Sequence, residues 1–130
     1  MGSAMSYLID TNILIYFFNG SLAEESRKRV TEMMKQAFHV SIISKMEFLG
    51  FDRFSVEERQ KAGMFLSNAR VLGLEDAIVD RVIQMKQEKK IKLPDAVIAA
   101  TAIHHDLTIV TRNSKDFKGL ELSVYNPFPE

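Results

Sequence analysis

YLIDTNILIY, residues 7–16, is an apolar run broken by Asp10-Thr11-Asn12 and resumed at Ile13. Ser6 to Asp10 predicts a short buried strand. Asn12 to Phe18 predicts a short helix, stopped by Asn19-Gly20. Packing alone gives no reason for the polar interruption. A carboxylate set between a strand end and a helix start can do chemistry if other groups join it.

The same alternation continues outward. Val30, Met33, Met34 and Ala37 fall at helical spacing within Leu22 to Ala37. His39 to Ile43 reads as a strand, and Ser44 to Phe51 as a short helix with Ser44-Lys45-Met46-Glu47 in capping-box form. Ser55-Val56-Glu57-Glu58 is another capping box, and Ala62, Phe65, Leu66 and Ala69 share the following helical face. Arg70 to Leu74 is a weak strand. Glu75 to Lys90 is a helix with Ile78, Val82 and Met85 on one face and Val79 and Ile83 beside them. Pro94 opens an alanine-rich helix, Asp95 to His105. Thr108 to Thr111 and Leu122 to Tyr125 complete the strands, and two prolines keep 126–130 irregular. Strands alternating with helices predict an α/β fold whose parallel sheet is covered on both faces. Ligands bind such sheets beyond the carboxyl ends of the strands.

The bulk properties narrow the class. A chain of 130 residues predicts one domain, residues 5–130, with Met1-Gly2-Ser3-Ala4 as a cloning remnant and Met5 as the natural start. Seventeen basic and seventeen acidic side chains cancel. That excludes a wholly basic nucleic-acid coat but not a basic rim around an acidic site. The absence of cysteine excludes disulfides and thiolate metal sites and fits a reducing, cytoplasmic setting. No apolar run approaches the roughly 18 residues that span a bilayer, and no basic-then-apolar leader is seen.

The chemistry lies in the acids. Asp10 ends the first strand, Glu47 follows the second, Asp95 opens the alanine-rich helix, and Asp116 follows the strand ending at Thr111. Each acid alone suits a helix cap, a first helical turn or a surface loop. The apolar context of Asp10 and Asp95 nevertheless implies burial, and buried carboxylates need partners. Four such charges in one pocket repel unless a cation joins them, and oxygen-only ligands favour Mg²⁺ or Mn²⁺. That combination points to phosphodiester hydrolysis. Thr11, Asn12, Ser44, Thr111 and Asn113 are candidates to hydrogen-bond the acids or the waters of the metal. His39, His104 and His105 lack a zinc spacing, because adjacent side chains on a helix point apart. No Gly-rich phosphate loop or nucleophile elbow is present.

Asp10-Thr11-Asn12, Ser44-Lys45-Met46-Glu47, the stretch from Leu93-Pro94-Asp95 to Ala100, and Thr111-Arg112-Asn113-Ser114-Lys115-Asp116-Phe117 occur in this order. Together they resemble the PIN-domain ribonucleases, and within them the VapC toxins of toxin–antitoxin pairs, from about Tyr7 to Phe128. The resemblance implies a three-layer α/β/α sandwich around a mostly parallel sheet. It also implies a Mg²⁺- or Mn²⁺-dependent endoribonuclease that cleaves tRNA or rRNA and inhibits translation. Asp10, Glu47 and Asp95 match the family's acidic positions. Asp116 matches its later acid and is taken as the fourth catalytic, metal-binding residue, with Asn113, where many relatives carry aspartate, in support. A homodimer, a cognate antitoxin and contact with operator DNA only through that antitoxin follow from the same resemblance.

Other residues carry secondary expectations. Arg112, Lys115 and Lys118 lie near the acids in sequence and are candidates for RNA phosphates. Lys86, Lys89, Lys90 and Lys92, just before Asp95, read first as a solvated helix face and second as contacts to RNA phosphates. Phe48, Leu49, Phe51 and Phe54 read first as core and second as a groove for an antitoxin helix. Two competing functions remain: a catalytically inactive PIN-like binding module, and a receiver-like phosphoacceptor. The second lacks a clear lysine on a later strand.

Overall fold

Short parallel strands need helices to carry the chain back across the sheet, and the sheet here is built that way. The structure, a computed structural model, describes residues 6–128. The expected cloning remnant at 1–4, the start at Met5 and the last two residues lie outside the described residues. Strands β1 (Tyr7–Ile9), β2 (Phe38–Ser41), β3 (Arg70–Leu72), β4 (Thr108–Val110) and β5 (Val124–Tyr125) form one sheet in the order β3-β2-β1-β4-β5. Every neighbouring pair is parallel. In the register, Leu8 lies opposite both His39 and Ile109, and Ser41 opposite Leu72.

Side chains alternate across a strand, so β1 divides the interior into two cores. Leu8 joins Ile109, Ile78, Val82, Ile98 and Phe117 on one face. Ile9 joins Val110, Val40, Ile13, Leu14, Val30 and Phe48 on the other. Helices α5 (Asp76–Glu88) and α6 (Leu93–His105) cover the first face. Helices α1 (Thr11–Phe18), α2 (Glu24–Gln36), α3 (Ile42–Leu49) and α4 (Val56–Leu66) supply the second. The three-layer sandwich is therefore present. In α6 every residue from Ala96 to Thr101 is buried, and its alanines let the backbone approach its neighbours closely. The Thr101 hydroxyl, sealed in this interior, donates to the Val97 carbonyl at 2.7 Å.

Two expectations need correction, and a third is met in its first reading. β2 ends at Ser41, two residues before the predicted Ile43, and α3 starts at Ile42. The β-branched Ile42 and Ile43 imitate a strand, but Ser41 caps the helix, its hydroxyl accepting the Ile43 N–H at 3.2 Å. Ser44 therefore sits inside α3, and the Ser44/Glu47 capping box does not form. The Ser55/Glu58 box does: Ser55 Oγ accepts the Glu58 N–H at 3.1 Å, and Glu58 Oε1 accepts the Ser55 N–H at 2.8 Å. Finally, Phe48 and Phe54 are buried in the second core, edge-to-face at 5.6 Å. They are core and offer no groove to a partner. Among the described residues no helix is long and apolar enough to cross a membrane.

Candidate active site

The chain crosses from β1 to β2 on one side of β1 and returns to β4 on its other side. A crevice opens where connections diverge in this way, at the carboxyl ends of the strands. Asp10 follows β1 at that point and Thr111 follows β4. The Asp10 N–H donates to the Val110 carbonyl at 2.9 Å, which extends the ladder one residue beyond β1. Asp10 then becomes the N-cap of α1, its Oδ1 accepting the Thr11 N–H at 2.8 Å. Its Oδ2 accepts the Thr111 hydroxyl at 2.7 Å and the Asn12 amide at 3.3 Å.

These bonds stabilise the carboxylate, but Asp10 is only 7% exposed. Burial dominates: its pKa is pushed up to about 6, against the Thr111 and Thr11 hydrogen bonds and with further help from the charges of Asp95 and Glu47. Glu47 is exposed in the second turn of α3. The Thr11 hydroxyl donates to Glu47 Oε1 at 2.6 Å, and the buried Ser44 hydroxyl lies 2.9 Å from the same Thr11 oxygen. A hydroxyl has one proton, so with Thr11 donating to Glu47 its oxygen accepts from Ser44. Thr11 thus links the second acid to the Asp10 motif.

Asp95 occupies the first turn of α6 behind Pro94 and is half-buried. Burial raises its pKa, the Asp116 charge raises it further, Lys92 opposes, and Glu47 adds to the rise. Asp116 is exposed in a 3₁₀ turn, Ser114–Phe117, anchored by the buried Phe117. Asp95 and Asp116 line one cleft of about 450 Å³ together with Lys89, Lys90, Lys92, Lys115 and Lys118. Asp10 and Glu47 are outside that lining. The acids are therefore graded, from buried Asp10 through half-buried Asp95 to exposed Glu47 and Asp116, and the pKa values of the two less exposed ones are raised by their acidic neighbours. Among the described residues they do not make a set of three ligand atoms within 4.8 Å of one another. Mg²⁺ does not demand such a set, since it keeps several waters and takes one or two carboxylates. The donors are all oxygen, and a cation beside Asp10 reverses the cost of its charge, so the residues fit Mg²⁺ or Mn²⁺.

The supporting residues divide. Thr11, Asn12, Ser44 and Thr111 all lie in this hydrogen-bond network. Asn113 enters through its backbone, its N–H donating to Thr111 Oγ1 at 3.1 Å. Arg112 stacks its guanidinium over Phe128 at 4.6 Å and Tyr16 at 5.4 Å and donates to the Tyr16 hydroxyl. Lys115 and Lys118 reach the cleft. Lys89, Lys90 and Lys92, read from sequence as a solvated face, line it too, because the α5–α6 connection brings 89–92 against 115–118. Their position just before Asp95 is the signal behind the second reading of these lysines, as contacts to RNA phosphates. Lys86 is different: its Nζ donates to the Ile91 carbonyl at 2.6 Å and fixes the same connection.

The histidine expectation fails in part. His104 and His105 both place Nε2 at 3.4 Å from Glu75 Oε2, since α6 ends there and the two rings fold toward one carboxylate. His39 is not in this group.

Known proteins resemble the chain along its length. The family model described as PIN domain matches residues 7–121. "Ribonuclease VapC" of Rickettsia bellii (strain RML369-C) is 30% identical over 135 residues, covering 92% of this chain and 95% of the relative. A toxin–antitoxin complex from Klebsiella pneumoniae contains a chain 35% identical, with a TM-score of 0.80, over 96% of this chain and 100% of that one. The DNA-bound VapBC of Salmonella typhimurium has a TM-score of 0.81 over 95% of this chain and 99% of that one; at 20% identity it bears on fold alone.

Proposed function

The chain belongs to the PIN-domain family, and from that premise we propose that it is the ribonuclease toxin of a toxin–antitoxin pair, a Mg²⁺- or Mn²⁺-dependent endoribonuclease. The observation that carries the reading is Asp10: a buried carboxylate at the divergence point of the sheet, bonded by Thr111 and Thr11, with the negative charges of Asp95 and Glu47 opposing its ionisation. The ribonuclease and toxin–antitoxin names of the R. bellii and K. pneumoniae relatives support the substrate class and the partner.

Asp10, Asp95, Glu47 and Asp116 are the residues that would hold the cation. Such an ion, when bound, supplies charge neutralisation at a phosphate and makes a water easier to deprotonate. The chain supplies the rest. Thr111 and Thr11 fix the Asp10 oxygens. Thr11, backed by Ser44, engages Glu47 Oε1 and leaves Oε2 to accept a proton from the attacking water. Lys90, Lys92, Lys115 and Lys118 flank Asp95 and Asp116 and hold the RNA backbone through its phosphates. The substrate is a tRNA or rRNA, and its cleavage inhibits translation.

The antitoxin restrains the enzyme by laying a basic side chain across the acids, where an arginine pairs with carboxylates and competes with metal. Contact with operator DNA runs through that partner. The toxin is a homodimer; Val79 and Ile83, exposed one turn apart on α5, give two copies an apolar patch to share. Sedimentation at micromolar concentration should show the dimer, and a monomer alone would exclude it.

The test is cleavage of tRNA and rRNA by antitoxin-free protein in chelator, Mg²⁺ and Mn²⁺. The parent should cut only with metal, and a folded Asp10→Asn protein should lose at least about 100-fold, the scale of one missing transition-state interaction. Metal-dependent cutting that survives in Asp10→Asn would overturn the reading.

A further inference from the structure

The far end of α6 holds a second group of metal-ligating side chains, nine residues along the helix from Asp95, or about 14 Å at 1.5 Å per residue. Glu75, His104 and His105 each offer a ligand atom, all within 4.8 Å of one another. We propose that these three residues form a second metal site, separate from the acidic pocket, that takes a borderline transition-metal ion such as Zn²⁺.

The geometry is specific. Both imidazole Nε2 atoms stand 3.4 Å from the same oxygen, Glu75 Oε2. A charge-assisted hydrogen bond closes to about 2.7–2.9 Å, so neither contact is a good one. With bonds near 2.0–2.2 Å, two ligand atoms on a tetrahedral Zn²⁺ lie about 3.3 Å apart, and both measured separations match that edge. The two rings are nearly perpendicular, 4.8 Å between centroids, so each presents its own nitrogen instead of stacking on its neighbour.

The local structure explains how adjacent histidines converge. The helix stops at His105, and Asp106 turns into the left-handed conformation at φ 54°. Glu75 is the N-cap residue of α5, but its side chain makes no capping bond. It reaches instead to the end of the antiparallel neighbour α6. The donors are two nitrogens and one oxygen, a set that suits Zn²⁺ and disfavours Mg²⁺. All three side chains are partly open to solvent, between 30% and 59% exposed, so an ion can enter and a water can take the fourth position. A bound ion joins the start of α5 to the end of α6, and so stabilises the layer that carries Asp95.

The experiment is calorimetric titration of the tag-free chain with Zn²⁺ in excess Mg²⁺, followed by Co²⁺ substitution read from visible absorption. The parent and Asp95→Asn should each bind one Zn²⁺ and give a tetrahedral Co²⁺ spectrum. His104→Ala, His105→Ala and the milder Glu75→Gln should weaken Zn²⁺ by more than about tenfold while keeping the parent's circular dichroism. Zn²⁺ should also raise the parent's melting temperature and leave that of His104→Ala unchanged. Absence of binding, binding indifferent to the histidine and Glu75 variants, or binding abolished in Asp95→Asn would each overturn the proposal.

Discussion

Asp10 accepts hydrogen bonds from Thr11, Thr111 and Asn12, yet burial holds its pKa up to about 6 against an ordinary 3.8. The sign of the linkage follows. Between about pH 4 and 6 the folded chain keeps a proton that the unfolded chain releases, so stability falls as pH rises through that window. Above it the loss is complete, on the order of 3 kcal/mol for a shift of this size. In chelator, Asp10→Asn should therefore melt above the parent at pH 7.5, and the gap should close below pH 4. Melts across pH 4–8 measure it; a gap independent of pH would show that Asp10 ionisation does not oppose folding. Thr111→Val tests the strongest of the three bonds. It keeps shape but removes the donor at 2.7 Å, so cleavage should fall about tenfold, the scale of one charged hydrogen bond. The acid limb of the pH–rate profile should move to higher pH. Asp116 is exposed, and Asp116→Asn should cost less activity than Asp10→Asn in the same assay.

At the level of elements, caps decide where the acids fall. Ser55→Ala removes a complete capping box from α4 and should cost about 1 kcal/mol in denaturant unfolding without altering cleavage. A loss of cleavage there would tie α4 to the site. This box is readable in the sequence because Ser55 and Glu58 stand three apart before an apolar helical face. The same rule misplaced the start of α3, since Ser41 and Ser44 are both hydroxyl residues and the intervening Ile42-Ile43 imitates a strand. The error left the site intact: Glu47 gave up its capping role and meets Thr11 instead, 36 residues away in sequence. Asp10, Asp95 and the supporting Thr111 were legible because a polar residue at the end of an apolar run stands out. The basic cleft was legible only as separate lysines, not as one rim. Lys89 to Lys92 and Lys115 to Lys118 approach only through the α5–α6 connection, and no local pattern reports that closeness. Likewise, the convergence of His104 and His105 depends on where a helix stops.

At the scale of the whole molecule, a neutral net charge conceals a local contrast between the buried Asp10 and an exposed basic rim around Asp95 and Asp116. The lysines around the cleft are solvent-exposed, so on the proposed reading RNA binding through them should be salt-dependent. Replacing Lys90 and Lys115 by alanine should weaken RNA binding and flatten its dependence on salt by about one unit for each phosphate no longer neutralised. An unchanged slope would exclude them from the interface. The acids have the opposite relation to the fold. Asp10 and Asp95 are ionised only at a cost set by burial and neighbouring acids, a cost that a bound cation would relieve. Asp95→Asn should accordingly melt no lower than the parent in chelator and gain less from Mn²⁺. If Asp10, Glu47, Asp95 and Asp116 serve one metal-dependent centre, manganese itself will report it. The most direct measurement is the anomalous diffraction of crystals of the protein grown with Mn²⁺. A manganese peak is expected within bonding distance of Asp10 or Asp95, or of both, with Glu47 and Asp116 bordering it. Manganese absent from that pocket, or found only elsewhere on the molecule, would contradict a shared centre.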